Sequence, residues 1–433
     1  MVKISIKQVI GRAGTGKTTY AKRVAEYHIK RRKTVYCLSF THSAVENMRR
    51  RGFHPSCQFS TLHSFFRIDY NDDTVMGCYK PFDVLIIDEF SLIASSLMDN
   101  CLKSIYRNGA SIGIVDCEVY LVGDPLQLGA VNGSDSISYS LLDTVLDIIP
   151  YSTIDRHTLT RIIRHWSRLC VNSTLVRELT TNDITLTTNH RSADSVTELV
   201  ESVVMNGDYT KILPLLRTSD EVVRLVRDEH YTVLSSKYDV LKIINQRVRL
   251  MNALDYHGWK FISDESVYMT VNTGRLYNGQ HVTLLTADNS SVTLNTPNGK
   301  DIITDIYIRT VDGNKLNDKI PIVMPAYLYT FHKAQGLEFN NVAICIDDLF
   351  EFPMLYTGIT RARKNVVFFT MNSLFISDLE SILNAPFNHG TIKMLSSITA
   401  PIYNDLNGAI MRYVNGGTEE MSIIRNIYEH SDI

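Results

Sequence analysis

A glycine-rich loop near the start of the chain has the residue types and spacing that bind phosphate. In the segment VIGRAGTGKTTY, residues 9–20, the pattern G-x-x-x-x-G-K-[ST] is matched by Gly11, Gly16, Lys17 and Thr18. The glycines let backbone N–H groups close around a phosphate chain, Lys17 can reach its β- and γ-phosphates, and the Thr18 hydroxyl can ligate Mg²⁺. We therefore predict a nucleoside triphosphate site formed by Gly11, Ala13, Gly14, Thr15, Gly16, Lys17, Thr18 and Thr19.

A pair of carboxylates supplies the second half of such a site. The segment VLIIDEF ends an apolar run with Asp88 and Glu89. In enzymes with a phosphate-binding loop, the aspartate holds the metal and the next carboxylate can activate the attacking water. Taken alone, the two acidic residues could equally be a solvated strand end. Together with the loop they predict hydrolysis of ATP, with Mg²⁺ held by Thr18 and Asp88 and with Glu89 as a catalytic residue.

Short apolar runs that alternate with amphipathic stretches are the elements that position these residues. KISIKQVI, TVYCLSF, FDVLIIDEF and CEVYLVGD are typical of buried strands, and TTYAKRVAEYHIKRR and SAVENMRRR of helices between them. Continuous apolar character is what a parallel sheet covered on both faces needs. After about residue 180 the pattern restarts, which predicts a second α/β domain. Between residues 273 and 323 polar and apolar residues alternate, with turn signals, which predicts a small antiparallel β insertion.

Composition indicates an ordinary globular protein that acts inside a cell. The chain has 433 residues, of which 44% are hydrophobic and 21% charged, and its formal net charge is −2. The length suggests more than one domain. The charge argues against a protein that coats nucleic acid, but it leaves room for an enzyme that grips nucleic acid in a local cleft. Because we find no signal core, no apolar run that could span a bilayer and no Cys-x-x-Cys pair, we expect a soluble, intracellular protein without a membrane partner.

Seven short segments in a fixed order resemble the motifs of superfamily 1 helicases. They are SFTHSAVENM, STLHSFF, IIDEFS, VGDPLQLGAV, LTTNHRS, YTFHKAQGLEF and LYTGITRARKNVVFF. The resemblance covers about residues 8–370 and implies two RecA-like parallel-sheet domains with ATP bound between them. On this resemblance Gln127 senses the γ-phosphate, and the two arginine fingers that reach it across the cleft are Arg191 and Arg361. A guanidinium is always charged and presents forked donors, which suits the oxygens of the transition state.

The same resemblance assigns contacts to the base and sugar of the nucleotide. The GLEF segment places Gly336 and Glu338 at the nucleotide, with the glutamate on the ribose. His190 occupies the place at which relatives carry an aromatic residue that stacks on adenine. The glutamine-containing adenine motif of many relatives has no counterpart before Gly11, because Gln8 lies inside the predicted first strand. We therefore expect loose selectivity for the nucleobase.

A second group of motif residues resembles those that face the nucleic acid strand. Phosphate backbones are gripped by hydroxyls, amides and cations, while unpaired bases stack on aromatic rings. The histidines of this group could instead be structural. The predicted contacts are Thr41, His42, Thr61, His63, Phe65, Thr330 and His332.

The lengths of the inserts favour the 5′-to-3′ branch of the family, which is RecD/Dda-like. Residues 67–82 leave room for a hairpin, the predicted separation pin, and YNGQHVTLL resembles the start of an SH3-like insert. The GLEF and NHRS segments look more like the 3′-to-5′ branch, so that polarity stays an alternative. The predicted organisation is a first RecA-like domain at residues 1–178, a second at 179–272 and 324–385, the SH3-like insertion at 273–323, and a C-terminal tail at 386–433.

Partners follow from the branch that the sequence resembles. We expect single-stranded DNA and junctions of duplex with single strands, with replication proteins as further partners. The short build is similar to phage or other viral replication helicases, which would place the protein in the cytoplasm of a bacterial host or of an infected cell. A viral-type RNA helicase and a nucleotide-switch protein that does not move along a strand are the remaining alternatives.

Overall fold

Two parallel sheets and one antiparallel sheet contain most of the strands. The structure is a computed structural model, and it describes residues 2–69, 74–124, 127–129, 174–205, 208–249, 253–256, 258–273, 275–288, 291–296, 299–304, 307–312, 315–346 and 352–371. The strands in chain order are β1 (Lys3–Gly11), β2 (Val35–Ser39), β3 (Gln58–Thr61), β4 (Val84–Asp88), β5 (Asp116–Gly123), β6 (Thr180–Leu186), β7 (Leu216–Arg217), β8 (Thr232–Ser235), β9 (Leu254–Tyr256), β10 (Trp259–Phe261), β11 (Glu265–Met269), β12 (His281–Ala287), β13 (Ser291–Thr296), β14 (Gly299–Thr304), β15 (Tyr307–Asp312), β16 (Lys315–Pro321), β17 (Val323–Pro325), β18 (Leu328–Thr330), β19 (Phe339–Cys345) and β20 (Ala362–Phe369).

The helices flank the two parallel sheets. They are α1 (Lys17–Ile29), α2 (His42–Arg50), α3 (Leu62–Phe66), α4 (Ser95–Asn108), α5 (Thr174–Leu179), α6 (Asp194–Leu199), α7 (Ser219–Glu229), α8 (Tyr238–Val248), α9 (Phe331–Ala334) and α10 (Phe352–Ile359). Segments of 3₁₀ helix lie at Phe90–Leu92, Ala110–Ile112 and Tyr209–Leu215, and a π-helical segment lies at Val200–Met205. Among the described residues, no helix is long and apolar enough to cross a membrane.

The first sheet has the order β3-β2-β4-β5-β1-β6, and its neighbouring strands are parallel. Its central strands carry continuous apolar runs because both faces are covered, and every residue of β2 and β4 is buried. β6 pairs with β1, so the first sheet continues past residue 178 and the chain leaves it only after Leu186. Because all the strands are parallel, their carboxyl ends gather the phosphate-binding loop, Asp88 and the segment after β5 at one edge.

The second sheet has the order β18-β8-β19-β20-β7 and is also parallel. We call the part built on the first sheet the first lobe and the part built on the second sheet the second lobe. The predicted pair of parallel-sheet domains is thereby confirmed. α9 follows the carboxyl end of β18, and α10 packs against β19 and leads into β20. Both short helices face the first lobe, as the contacts of the site below demonstrate.

An antiparallel sheet of order β14-β13-β12-β11-β17 lies between the two halves of the second lobe. It includes β11, which precedes residue 273, where the sequence predicts the insertion to begin. Its apolar residues share one continuous core with the second lobe, as the stacked rings of Tyr268 and Tyr329 illustrate, with centroids 4.6 Å apart. The sheet and the second lobe are therefore one packing unit.

The predicted pin falls partly on described residues. Ile68 and Val75 form an isolated antiparallel bridge, so the chain does turn back on itself within residues 67–82. Residues 70–73 of the predicted pin and the predicted tail at 386–433 lie outside the described residues.

Phe65 corrects one sequence prediction. It was expected to face the nucleic acid strand, but only 1% of its surface is exposed, and it packs against Tyr36, Phe66 and Phe82. The reason is the position of the ring on α3, a single turn of helix that begins at Leu62. Its Leu62 and Phe65 side chains, three residues apart, point to the same side and enter the core.

Phe65 is therefore expected to control stability. We expect Phe65→Ala to lower the free energy of unfolding of the first lobe by about 3–5 kcal/mol, because a buried ring leaves a cavity. Denaturant-induced unfolding followed by circular dichroism measures this. Val115→Ala, at a side chain that is 77% exposed, is the matched control and should change stability by less than about 0.5 kcal/mol. An alanine variant at position 65 with an unchanged unfolding midpoint and weakened binding of nucleic acid would restore the predicted contact.

Candidate functional site

The phosphate-binding loop connects β1 to α1 in the geometry that its glycines allow. Gly16 has a φ of 85° and is the N-cap of α1, a left-handed conformation that favours glycine. A Cβ added to Gly11 would overlap Thr15 Oγ1 and lie 2.9 Å from the carbonyl oxygen of Leu186. Gly11 and Thr15 thus stabilise the shape of the loop. The Thr15 hydroxyl donates to the Arg12 carbonyl at 2.8 Å.

A cavity of about 230 Å³ lies beyond this loop and is lined by both lobes. Fourteen of the residues predicted for the nucleotide and its hydrolysis line it. The first lobe contributes Ala13, Gly14, Gly16, Lys17, Thr18, Thr19, Asp88, Glu89 and Gln127, and the remainder are His190, Arg191, Gly336, Glu338 and Arg361. Gln8 does not line this cavity, and its side chain donates to Thr180 Oγ1 at 3.1 Å.

Lys17 points into the loop, and its side chain is half-buried. Its Nζ donates to the carbonyl oxygens of Gly11 at 2.6 Å and Arg12 at 2.9 Å. Burial lowers the pKa of Lys17, and the nearby carboxylates of Asp124 and Glu89 oppose this shift only in part. A buried ammonium held by carbonyl oxygens gains from any anion that enters the cavity.

Asp88 and Glu89 meet at the end of β4. Glu89 has a φ of 58°, a left-handed conformation that is uncommon outside glycine. Its backbone N–H donates to Asp88 Oδ1 at 3.0 Å. Burial, together with the charge of Glu89, raises the pKa of Asp88 to about 7. Two neighbouring carboxylates repel each other when both are ionised, so a cation beside Asp88 is electrostatically favoured.

Three buried polar atoms of the cavity residues have no hydrogen-bond partner within the described part of the chain. They are Glu89 Oε2, Gln127 Oε1 and Arg191 Nε. Buried polar groups are nearly always paired in native proteins, so unpaired ones call for an explanation. Two acceptors and one cationic donor that line one cavity fit a water molecule and a phosphate group. The residues present therefore suit a triphosphate with its metal ion.

Arg191 is held by an ion-pair cluster around Glu338. Glu338 Oε1 accepts from Arg191 at 2.6 Å and from Arg51 at 2.7 Å, and Oε2 accepts from Arg363 at 2.5 Å. Burial alone would raise the pKa of Glu338, but the three arginines lower it to about 2. Arg191 also donates to the Thr360 carbonyl at 3.3 Å, so it is positioned beside the segment that carries Arg361.

Arg361 is almost wholly buried, with 2% of its surface exposed. Its Nε donates to the Thr357 carbonyl at 3.3 Å and its Nη1 to the Leu337 carbonyl at 3.2 Å. Burial and the neighbouring Arg191 lower its pKa. The structure thus brings the two predicted arginine fingers to the same cavity as Lys17.

The part that α2 plays at this cavity was not predicted from the sequence. Asn47 Nδ2 donates to the Gly336 carbonyl at 3.1 Å, and Arg51 pairs with Glu338, so one edge of α2 contacts the second lobe twice. Asn47 and Arg51 are four residues apart, and that spacing places two polar side chains on one helical face. The spacing was visible in SAVENMRRR, but the partner that it faces was not.

A second cavity, of about 450 Å³, lies between the first lobe, the antiparallel sheet and α9. We call it the groove. Thr41, His42, Thr61, His63 and His332, all predicted to face nucleic acid, line it. Further lining residues that the sequence did not single out include Phe40, Tyr268, Asn272, Asn278, His281, Tyr329 and Lys333. The groove thus joins most of the second predicted group in one place.

Helix capping explains the threonines of this group. The hydroxyls of Thr41, Thr61 and Thr330 are the N-caps of α2, α3 and α9 and accept from backbone N–H groups three residues later. Thr41 and Thr61 also line the groove, whereas Thr330 does not and its neighbours Tyr329 and His332 do. Thr330 therefore positions the groove residues around it.

A ring stack connects the first lobe to the antiparallel sheet at the side of the groove. The rings of His42 and Tyr277 lie with centroids 4.1 Å apart and planes 20° apart. Tyr277 is 47% exposed, and the nearby Gly279 approaches Ser43 closely. Burial lowers the pKa of His42 and of His281, which keeps both rings neutral at pH 7.

Comparison with known proteins agrees with this geometry. A family model described as an AAA domain matches residues 3–202, and one described as a UvrD-like helicase C-terminal domain matches residues 325–369. The RecBCD enzyme subunit RecD of Buchnera aphidicola (subspecies Acyrthosiphon pisum) is 22% identical over 346 residues, which are 69% of this chain and 55% of that protein. The chain thus spans little more than half the length of that relative.

Solved structures of Pif1 from Bacteroides share the fold. The one bound to single-stranded DNA has a TM-score of 0.55 and 18% identity, and the match covers 89% of this chain and 95% of that one. A complex with ADP-AlF3 and single-stranded DNA has a TM-score of 0.54 and 18% identity, over 89% and 94% of the chains. The two family models and these likenesses support the resemblance to superfamily 1 helicases of the RecD and Pif1 branch. The first family model spans the phosphate-binding loop, Asp88 and Arg191, and the second spans α9, Glu338 and Arg361.

Proposed function

We propose that the protein is an ATP-dependent helicase that moves 5′-to-3′ along single-stranded DNA and unwinds duplex. One observation carries this proposal, namely the single cavity at which Lys17, Glu89 and Gln127 of the first lobe meet Arg191 and Arg361. Binding of ATP there would draw the lobes together, and hydrolysis would release them. The likeness to RecD and to Pif1 structures with bound nucleotide and single-stranded DNA supports the same function.

The residues of the cavity fit the steps of hydrolysis. Lys17 would bind the β- and γ-phosphates once they replace its loop carbonyl partners, and Glu89 Oε2 would accept a proton from the attacking water. Gln127 Oε1 would orient that water, while Arg191 and Arg361 neutralise charge that develops on the γ-phosphate. Mg²⁺, held by Thr18 and Asp88, supplies further neutralisation when it is bound. His190, Gly336 and Glu338 would contact the base and ribose.

The groove is the track that we propose for the strand. It carries neutral rings on which bases can stack, hydroxyls for phosphates, and the cation of Lys333. The motor lobes would follow the predicted domains, with β6 added to the first, while the hairpin at 67–82 would separate the duplex. Junctions of duplex with single strands are the substrates, and replication proteins are the proposed partners. A viral source and a replication role remain predictions from the sequence.

Hydrolysis tests the motor. We expect ATP turnover that single-stranded DNA stimulates, that Lys17→Ala abolishes, and that Arg361→Ala lowers by about 10³-fold or more, because the transition-state charge loses its guanidinium. Steady-state phosphate release with and without DNA or RNA of one length measures this. Arg227→Ala, which removes an exposed ion pair with Asp228 on α7, is the control and should hydrolyse ATP as the unchanged protein does. Stimulation by RNA alone would favour the RNA-helicase alternative.

Polarity is tested with tailed duplexes. We expect unwinding of substrates with a 5′ single-stranded tail, because the hairpin and the small antiparallel sheet are the inserts typical of the 5′-to-3′ branch. Strand displacement on duplexes of identical sequence, with a 5′ tail, a 3′ tail or no tail, gives the comparison. Displacement confined to the 3′-tailed duplex would reverse the proposed direction.

Lys333 gives the binding of DNA a pH dependence. Its Nζ lies near the Thr270 carbonyl and Asn278, and burial lowers its pKa to about 8. The side chain is therefore charged below that pH and neutral above it. We expect affinity for single-stranded DNA to fall as the pH rises from about 7 to 9, because a phosphate contact is lost.

Fluorescence anisotropy at constant ionic strength measures this affinity. Lys333→Arg is the matched control, since a guanidinium stays charged over this range and should make the affinity nearly independent of pH. An equal loss of affinity in the arginine variant would assign the pH dependence to another group.

A further inference from the structure

The hydroxyl of Tyr356 lies where the two lobes meet and forms hydrogen bonds to two segments of the first lobe. Tyr356 is on α10 and is fully buried. Its Oη donates to Asp124 Oδ2 at 2.6 Å and accepts from the Ala13 backbone N–H at 3.3 Å. Ala13 belongs to the phosphate-binding loop, and Asp124 directly follows β5. One side chain of the second lobe is thus bonded to two separate elements of the first.

The direction of these two bonds is fixed by the protonation of the groups. Burial and the adjacent Asp124 raise the pKa of Tyr356, so its hydroxyl keeps its proton and donates to the carboxylate. A hydrogen bond to an ionised acceptor is shorter and stronger than a neutral one, and a buried position strengthens it further. The lone pairs of the same oxygen are then available for the Ala13 N–H.

Asp124 connects Tyr356 to Gln127 through a second hydrogen bond. Asp124 Oδ2 also accepts from Gln127 Nε2, at 3.5 Å, which is a weak bond but one that orients the amide. With its Nε2 turned toward Asp124, Gln127 presents Oε1, the atom without a partner, to the nucleotide cavity. The next residue is held from the second lobe as well, since Leu128 N donates to Thr357 Oγ1 at 3.1 Å and its carbonyl accepts from Gln335 at 2.7 Å.

α10 connects Tyr356 to Arg361 through the residue next to Tyr356. Thr357 is next to Tyr356, and its carbonyl accepts from Arg361 Nε at 3.3 Å. α10 ends at Ile359, and Arg361 N donates to the Gly358 carbonyl at 3.1 Å. The orientation of this arginine therefore depends on where α10 is held against the first lobe.

We propose that Tyr356 is a positioning residue that keeps the phosphate-binding loop, Gln127 and Arg361 in one mutual arrangement for hydrolysis. This inference rests on the proposed function. It adds a residue that affects hydrolysis without contributing to the binding of nucleotide. Tyr356 does not line the nucleotide cavity, so its hydroxyl acts through Ala13, Asp124 and α10. Its loss should therefore slow turnover at saturating nucleotide and leave the binding of nucleotide nearly unchanged.

Tyr356→Phe tests this, because it removes the hydroxyl and keeps the ring. At saturating single-stranded DNA we expect kcat to fall about 10-fold or more, the usual effect of losing a hydrogen bond to a charged group, with KM for ATP within about twofold. Tyr327→Phe is the matched control. It removes the hydroxyl of a half-buried tyrosine, which accepts from Asn245 Nδ2 at 3.0 Å inside the second lobe, and should leave kcat and KM unchanged. Thermal unfolding of the two variants separates loss of folding from loss of alignment.

A double-mutant cycle with Asp124→Asn gives a second route to the same bond. If the hydroxyl and the carboxylate act as one unit, the double variant should lose much less than the product of the two single losses. Equal kcat in Tyr356→Phe and the unchanged protein, a rise in KM without a fall in kcat, or losses that multiply would overturn the inference while the proposed function stands. Absence of any nucleotide turnover in the unchanged protein would overturn both.

Discussion

Burial of cations in one cleft constrains the rest of the molecule. Arg361 is buried and Lys17 is half-buried beside Arg191, and loss of hydration lowers the pKa of both Lys17 and Arg361, which reflects the cost of holding charge away from water. The carboxylates nearby offset this cost only in part, because Asp88 and Glu89 repel each other. A polyanion relieves both imbalances at once when it brings a divalent cation with it. The fold is arranged around that requirement: one sheet edge supplies the loop and carboxylates, and a second lobe supplies the guanidinium groups.

Polar groups of the two lobes form hydrogen bonds across the seam between them. Asn47 binds Gly336, Arg51 binds Glu338, and Tyr356 binds Asp124. Such pairs can exchange partners with water when they separate, whereas a large apolar interface would resist separation. Hydrogen bonds are directional, so these three define one arrangement of the lobes when they are formed.

The local parts of this site could be predicted from the sequence, and the long-range parts could not. The loop and the end of β4 are defined by residues within a few positions of one another, and continuous apolar runs identified the buried strands. The membership of β6 in the first sheet depends on pairing with β1, which is far away in sequence. Phe65 was misassigned because a motif fixes residue types but not which side of a single helical turn they face.

The hydrogen bonds between the lobes could not be predicted from the sequence for the same reason. Tyr356 stands in a motif that was recognised, yet its partners Ala13 and Asp124 lie in other motifs, and only the fold brings them together. Lys333 was overlooked because its chemistry arises from burial, and a lysine in a sequence carries no sign of burial. The ion-pair cluster on Glu338 likewise needs three elements to converge.

The shared core of the second lobe and the antiparallel sheet has a mechanical consequence. Because the described residues of the sheet and of that lobe share one core, the two would move as a single rigid body if the nucleotide cleft widened. Tyr277 would then be carried away from His42, which stays behind on α2. Two stacked rings can slide over one another at little energetic cost. This pair would therefore let the antiparallel sheet shift along α2 at the side of the groove.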